Sequence, residues 1–315
     1  MVAARLRALG ALDDVAGARD ATDEELLRVH APGYLELVKR EIGALESRAR
    51  NLSTGDVMVD ASSLAVARRA AGGAIVAMET AAASGEPTFA LVRPPGHHAE
   101  PARGMGFCLF NNVAIAARAY QAARGGRVLV VDFDYHHGNG TQAIAGAGLS
   151  YLSSHAFPAY PGTGTESYGL GQDVVANVPL PASGISTEAF VAVWKALLPQ
   201  AARAVRPDLL VVSAGFDYVA GDPVGDLGVD AAAAADLAAI VNAVALEYCG
   251  GRVAYVLEGG YDVESLTRSI ELIAGVTDAR TLDSCAEPGS VPPQVAATLV
   301  QISGFFQGSR PGDAN

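Results

Sequence analysis

The chain is poor in cysteine: Cys108, Cys249 and Cys285 stand far apart and form no C-x-x-C pair. That spacing argues against a disulfide framework and a thiolate zinc site and suits a reducing compartment, so a cytoplasmic location is expected. Charge is scarce too, at 18% of residues, and positive charge scarcer: 22 Lys and Arg against 34 Asp and Glu leave a net −12. A surface of that sign repels nucleic acid and anionic membranes and attracts cationic partners, lysine-rich peptides or polyamines among them. The chain has no secretory apolar segment and no run of about eighteen apolar residues, which predicts a soluble protein. Nor does a Pro/Ser-rich linker or an internal repeat divide it. One domain over residues 1–315 is therefore expected, with 309–315, SRPGDAN, as a frayed tail. A homo-oligomer is compatible with this composition.

What is present is a chain 50% hydrophobic, enough for a large core. Its organising stretch is Arg127–Gln142, RVLVVDFDYHHGNGTQ. Val128–Val131 are four apolar residues in succession, the pattern of a strand covered on both faces in a parallel sheet, and such sheets bind ligands beyond their carboxyl ends. Continued as a strand, the segment would send Asp132, Asp134 and His136 to one side and Phe133 and Tyr135 to the other. Further strands are expected at Thr88–Val92, Leu149–His155, Asp208–Ala214 and Arg252–Leu257. Helices are expected at the start (Val2, Leu6, Leu9, Leu12), after a capping box at Thr22–Glu25, and over Ser62–Ala83, Asn112–Ala123 and Val229–Tyr248. Beyond Thr277 the signals weaken. Buried strands alternating with helices predict an α/β domain with its site along one sheet edge.

The strand ends carry the chemistry. RPPGHHAE, Arg93–Glu100, sets His97 and His98 on a rigid loop suited to proton transfer. GFD ends another strand with Asp217, and EGGYD brings Tyr261. Asp134, His136 and Asp217 make a three-ligand set with a free position for water, as a catalytic divalent ion requires. Zinc is the first choice, and the oxygen-rich set also admits Fe(II), Mn(II) or Co(II). His30, an isolated histidine, reads as structural.

RPPGHHAE, GFCLFNN, DFDYHHGNGTQ, SAGFD with GDPVGDLGV, and LEGGYD, in this order, resemble the histone deacetylase family of the arginase–deacetylase superfamily, on its class II and bacterial side. The resemblance runs from Val29 to Glu264. It implies a single three-layer α/β domain around a parallel eight-stranded sheet, and a deacetylase that hydrolyses the amide of acyl-lysine side chains with metal-activated water. It also implies that Asp134, His136 and Asp217 hold the ion and that Tyr261 polarises the carbonyl. His98 would act as base and then acid, and His97 would stabilise charge through Asp132. Asn139 stands where some relatives carry an aspartate beside the second histidine; an amide adds no negative charge, so His98 should lose its proton more easily. Gly106 and Phe107, opposite Tyr160, match a narrow acyl-lysine channel, and a structural potassium is implied near Asp132, Asp134, His136 and Ser153. Two departures stand out. The family's first strand and the loop after it are expected to be missing, and the loop Phe157–Gly162 is short.

The runner-up is an acetylpolyamine amidohydrolase, which the DYHHGNGTQ wording also resembles. Polyamine-selective relatives place a glutamate at the mouth, where Val224 stands here, which favours acyl-lysine. A ureohydrolase would need a second metal, and Tyr135, His136, His137 and Gly138 supply no further carboxylates for it. A catalytically silent acyl-lysine-binding protein would be expected to have lost Tyr261 or a metal ligand, and all are present.

Overall fold

Val128 and Val130 pack into one hydrophobic core and Leu129 and Val131 into another, because successive side chains of a strand leave opposite faces. All four are fully buried, and each such burial stabilises the fold by roughly 2 kcal/mol. A sheet thus divides two cores, each roofed by helices.

The computed structural model describes residues 2–8, 17–46, 48–275 and 291–308. In chain order the first elements are α1 (Val2–Ala8), α2 (Asp23–Leu27), α3 (Pro32–Gly43), β1 (Arg50–Asn51), β2 (Met58–Val59), α4 (Ser63–Ser84), β3 (Thr88–Ala90), α5 (Asn112–Arg124), β4 (Val128–Asp132), α6 (Asn139–Ile144) and β5 (Leu149–Ala156). They are followed by β6 (Tyr168–Leu170), β7 (Asp173–Leu180), α7 (Thr187–Val205), β8 (Leu209–Ala214), α8 (Ala233–Cys249), β9 (Val253–Leu257), α9 (Val263–Gly275) and α10 (Pro293–Gly308).

The main sheet has the order β3-β9-β8-β4-β5-β7-β6. Among the described residues it has seven strands, not the eight implied by the resemblance, and it is not wholly parallel. β6 runs antiparallel to β7, with Leu170 opposite Asp173 across a turn at Gly171, whose φ is +67°. A link that short can only reverse the chain, since a parallel pair needs a crossover of a dozen residues or more. α4 and α5 cover one face, and α7, α8 and α9 the other.

Most expected elements are found with small shifts. The capping box holds: Thr22 Oγ1 accepts the Glu25 N–H, and Glu25 Oε2 accepts the Thr22 N–H at 2.8 Å. α4 ends at Gly85, left-handed at φ +74°. α8 begins at Ala233, later than Val229, because Val229 bridges to Val219 and Asp230 accepts the Ala232 N–H. β3 stops at Ala90 instead of Val92. Leu9 and Leu12 of the first helix, Cys285 and the 309–315 tail lie outside the described residues. β7, α7 and α10 were not anticipated.

The sheet's carboxyl edge positions the site. β4, β8 and β9 are neighbours there, in register at Asp132↔Ser213 and Ala214↔Leu257. The segments that leave them therefore emerge side by side.

Candidate active site

Beyond Asp132 the chain does not continue as a strand. Asp132 Oδ1 accepts the Asp134 N–H at 3.2 Å, and Asp134 Oδ1 accepts the His136 N–H at 2.8 Å. Each carboxylate thus bends the backbone two residues on. The outcome differs from a simple alternation: Asp134 and His136 converge with Asp217, while Asp132 lies behind them. One ligand atom from each of these three residues lies within 4.8 Å of the others, all buried, and among the described residues they are the group suited to a metal ion.

The remaining bonds orient these ligands. Asp134 Oδ2 accepts the Gly259 N–H at 2.8 Å, and Asp217 Oδ1 accepts the Tyr135 N–H at 2.9 Å. His136 Nδ1 is 3.2 Å from Asp134 Oδ1, its hydrogen-bond partner, and 3.0 Å from Asp217 Oδ2, which is buried without a hydrogen bond of its own. A Cβ on Gly259 would come within 2.3 Å of Asp217 Oδ2, and one on Gly215 within 1.9 Å of Asp134 Oδ2. The local field is strongly negative. Despite burial, which opposes its charge, His136 is held up at about 10 by Asp134 and Asp217. Burial and the neighbouring Asp134 push Asp217 up to about 6. Two buried carboxylates, an orphaned oxygen and a backbone cradle fit a divalent cation.

The β3–α5 loop supplies the two histidines, 2% and 4% exposed, with ring centroids 4.1 Å apart. His97 Nδ1 is 3.1 Å from Asp132 Oδ2, which also accepts the Tyr151 hydroxyl at 2.9 Å. Burial opposes a charge on His97, but Asp134 and Asp132 outweigh it and raise the group to about 10. Burial, His97 and His136 hold His98 well below the usual imidazole range. His98 Nδ1 is 2.8 Å from Asn139 Oδ1, and Asn139 Nδ2 donates to Glu100 Oε1 at 2.7 Å. Glu100 thereby fixes which way the amide points. The Asn139 carbonyl must receive the Nδ1 proton of His98, leaving Nε2 as the free base. The sequence showed the amide but not the carboxylate behind it.

Around this floor stands a pocket of about 300 Å³, lined by His97, His98, Gly106, Phe107, Asp134, His136, Tyr160, Asp217 and Tyr261, together with Asp56, Pro95, Val224 and Gly259. Gly106 is left-handed at φ +56°, and a Cβ there would meet His98 Cδ2 at 2.3 Å. Tyr160 meets the His98 ring edge-on at 5.1 Å, and Phe107 lies 5.8 Å from Tyr261. Burial, Asp134 and Asp217 push the Tyr261 phenol far upward, so it is a neutral donor. Of the eleven residues expected from sequence, nine line the pocket; Asp132 and Asn139 stand behind His97 and His98.

Four carboxylates went unremarked in the sequence. Glu100 is the partner of Asn139. Glu258, fully buried, accepts the N–H groups of Gly96 and His97 at 2.6 and 3.1 Å, and burial pushes it up to about 7. Asp56 accepts the Gly106 N–H at 2.9 Å and the Tyr160 hydroxyl at 3.0 Å. Asp222 holds the backbone at Tyr261. Glu258 alone had a signal: it too directly follows an apolar strand. His30 is structural as expected, with Nδ1 3.1 Å from the Glu100 carbonyl and Nε2 accepting the Asn111 N–H at 3.0 Å.

A histone deacetylase domain is recognised over residues 1–277. The chain is 35% identical over 271 residues to histone deacetylase 14, chloroplastic, of Arabidopsis thaliana, a match covering 82% of this chain and 64% of that protein. It is 37% identical over 267 residues to polyamine deacetylase HDAC10 of Homo sapiens, covering 80% of this chain and 39% of that one. It therefore spans less than two thirds of either relative. The crystal structure of the HDA15 HD domain superposes with a TM-score of 0.84 at 31% identity, covering 98% of this chain and 85% of that one. With likeness in sequence and architecture along most of its length, the chain belongs to the histone deacetylase family.

Proposed function

We propose that the protein is a metal-dependent deacetylase that hydrolyses the amide of acylated lysine side chains. The observation that carries this reading is the meeting of Asp134, His136 and Asp217 at the floor of a pocket beside His98, an imidazole whose Nε2 is kept free by Asn139. A divalent cation held by those three residues, zinc by preference, would supply a Lewis acid that polarises the carbonyl and acidifies water. His98 Nε2 takes the proton as the water oxygen bonds to the carbonyl carbon. The C–N bond then breaks as the departing amine takes that proton, leaving a carboxylic acid and a free amine, and transfer of the remaining water proton from acid to amine gives carboxylate and ammonium. Tyr261 donates its hydroxyl proton in a hydrogen bond to the oxygen that gains charge. His97, paired with Asp132, keeps a positive charge beside the developing anion. Gly106, Phe107 and Tyr160 enclose the aliphatic arm of the substrate. A structural potassium beside Asp132, Asp134, His136 and Ser153 completes the reading; metal analysis of the purified protein tests both ions.

The second reading, acetylpolyamine hydrolysis, draws on the likeness to a relative named a polyamine deacetylase. The mouth favours acyl-lysine. A distal ammonium would meet the apolar Val224 there. The test is turnover of an acetyl-lysine peptide against acetylputrescine and acetylspermidine by metal-reconstituted protein, with Tyr261→Phe as control. The peptide is expected to win in kcat/KM. A polyamine advantage above about tenfold, roughly 1.4 kcal/mol, reverses the substrate assignment.

A further inference from the structure

Asp222 lies in the loop after β8, 5% exposed, and its hydrogen-bond partners are backbone N–H groups. Oδ1 accepts those of Val224 and Gly225 at 2.9 and 3.1 Å, a local turn. Oδ2 reaches another segment and accepts those of Tyr261 and Asp262 at 2.7 and 3.0 Å. The second pair immediately precedes α9, whose first turn is bonded by Asp262, its Oδ1 accepting the Ser265 N–H at 2.8 Å. Bonds of this kind, to a charged acceptor, are about twice as strong as neutral ones.

Tyr261 needs such an anchor. It follows Gly259 and Gly260, the latter at φ +121°, a pair with little conformational preference of its own. Its ring has neighbours, the Phe107 ring at 5.8 Å and the Arg93 guanidinium at 5.1 Å, both carried by the segment between β3 and α5, where Arg93 also donates to the Glu258 carbonyl at 2.8 Å. Phe107 is also 54% exposed. The backbone from which the phenol projects is therefore tied to the β8 loop by Asp222.

We propose that Asp222 is the positioning residue of Tyr261, clamping its backbone so that the phenol meets the substrate oxygen, and that through Val224 the same carboxylate joins the pocket mouth to that donor. The inference rests on the deacetylase reading and adds a residue to it.

The test is Asp222→Asn, which keeps the side chain's shape but turns one acceptor into a donor facing N–H groups. Metal-loaded protein should lose about 30-fold in kcat on an acetyl-lysine peptide, as a small misplacement does, with KM changed less than about threefold and metal content intact. In a Tyr261→Phe background the same substitution should cost less than about twofold, since no donor remains to misplace. An undiminished kcat, or a full additive loss in that background, overturns the proposal. Hydrogen exchange gives a readout free of turnover and of the variant's folding: the Tyr261 and Asp262 amides should be protected in the wild-type protein and, where the variant folds, exposed in it. Fast exchange of both in the wild type rejects the clamp. Protected amides in a protein without deacetylase activity would instead reject the activity and leave the clamp standing.

Discussion

The floor of the pocket and its mouth are built from opposite materials. At the floor, Asp132, Asp134, Asp217 and Glu258 are at most 1% exposed, and each accepts at least one backbone N–H or hydroxyl. At the mouth, Phe107, Val224 and Tyr160 are 54, 42 and 39% exposed, and Tyr160 is tied by an exposed hydrogen bond to Asp56. A buried charge without its partners costs several kcal/mol, so nothing at the floor can move alone. An exposed side chain is free to. Chemistry is thus fixed where rearrangement is expensive, and selectivity sits where it is cheap.

The largest effects should come from the floor. Asp217→Ala and His98→Ala are each expected to lower turnover by about 10³-fold or more, yet metal analysis should find the ion missing only from Asp217→Ala. Ion loss from both would mean that base and ligands are not separate parts.

Behind the floor, His30 carries a pH signature. Burial lowers it from 6.5 to about 4 by disfavouring the charged ring, and outweighs the Glu100 carbonyl, which favours the proton. Above pH 6.5 it is neutral folded or unfolded. As pH falls toward 4 the unfolded chain takes up a proton that the folded chain refuses, and stability drops by roughly 3 kcal/mol in all. Denaturant titrations should show the stability gap between wild type and His30→Gln shrinking across that window; a constant gap would refute the assignment.

The mouth should give the smallest change. Tyr160→Phe removes one exposed hydrogen bond, about 0.5 kcal/mol, so kcat/KM should shift about twofold. A loss above about tenfold would show the mouth to be as rigid as the floor and erase the contrast.

The same division explains what the sequence made legible. β4 is an apolar run that ends in Asp132, and the largely apolar β8 is followed three residues on by Asp217, a local signal in both cases. The eleven expected site residues all gather at or directly behind the pocket. β7 was invisible because Asn177 and Pro179 interrupt its apolar pattern, although both sit in a buried strand. α7 carries Pro199 inside it. Asp222, Glu100 and Asp56 are single acids in loops, and their partners are backbone groups or side chains remote in sequence. No spacing rule encodes such a contact.

The Tyr135 N–H and the Asp217 carboxylate that receives it are 82 residues apart in the chain. Until β8 is laid against β4, a nascent polypeptide offers Asp134 and His136 as a two-toothed hook, which holds ions weakly and with little discrimination. The third tooth arrives only with the finished sheet. On the proposed metal-binding reading, ion capture would report on completed assembly, and a chelator present during refolding should leave the strands paired, with His136 alone between the two carboxylates.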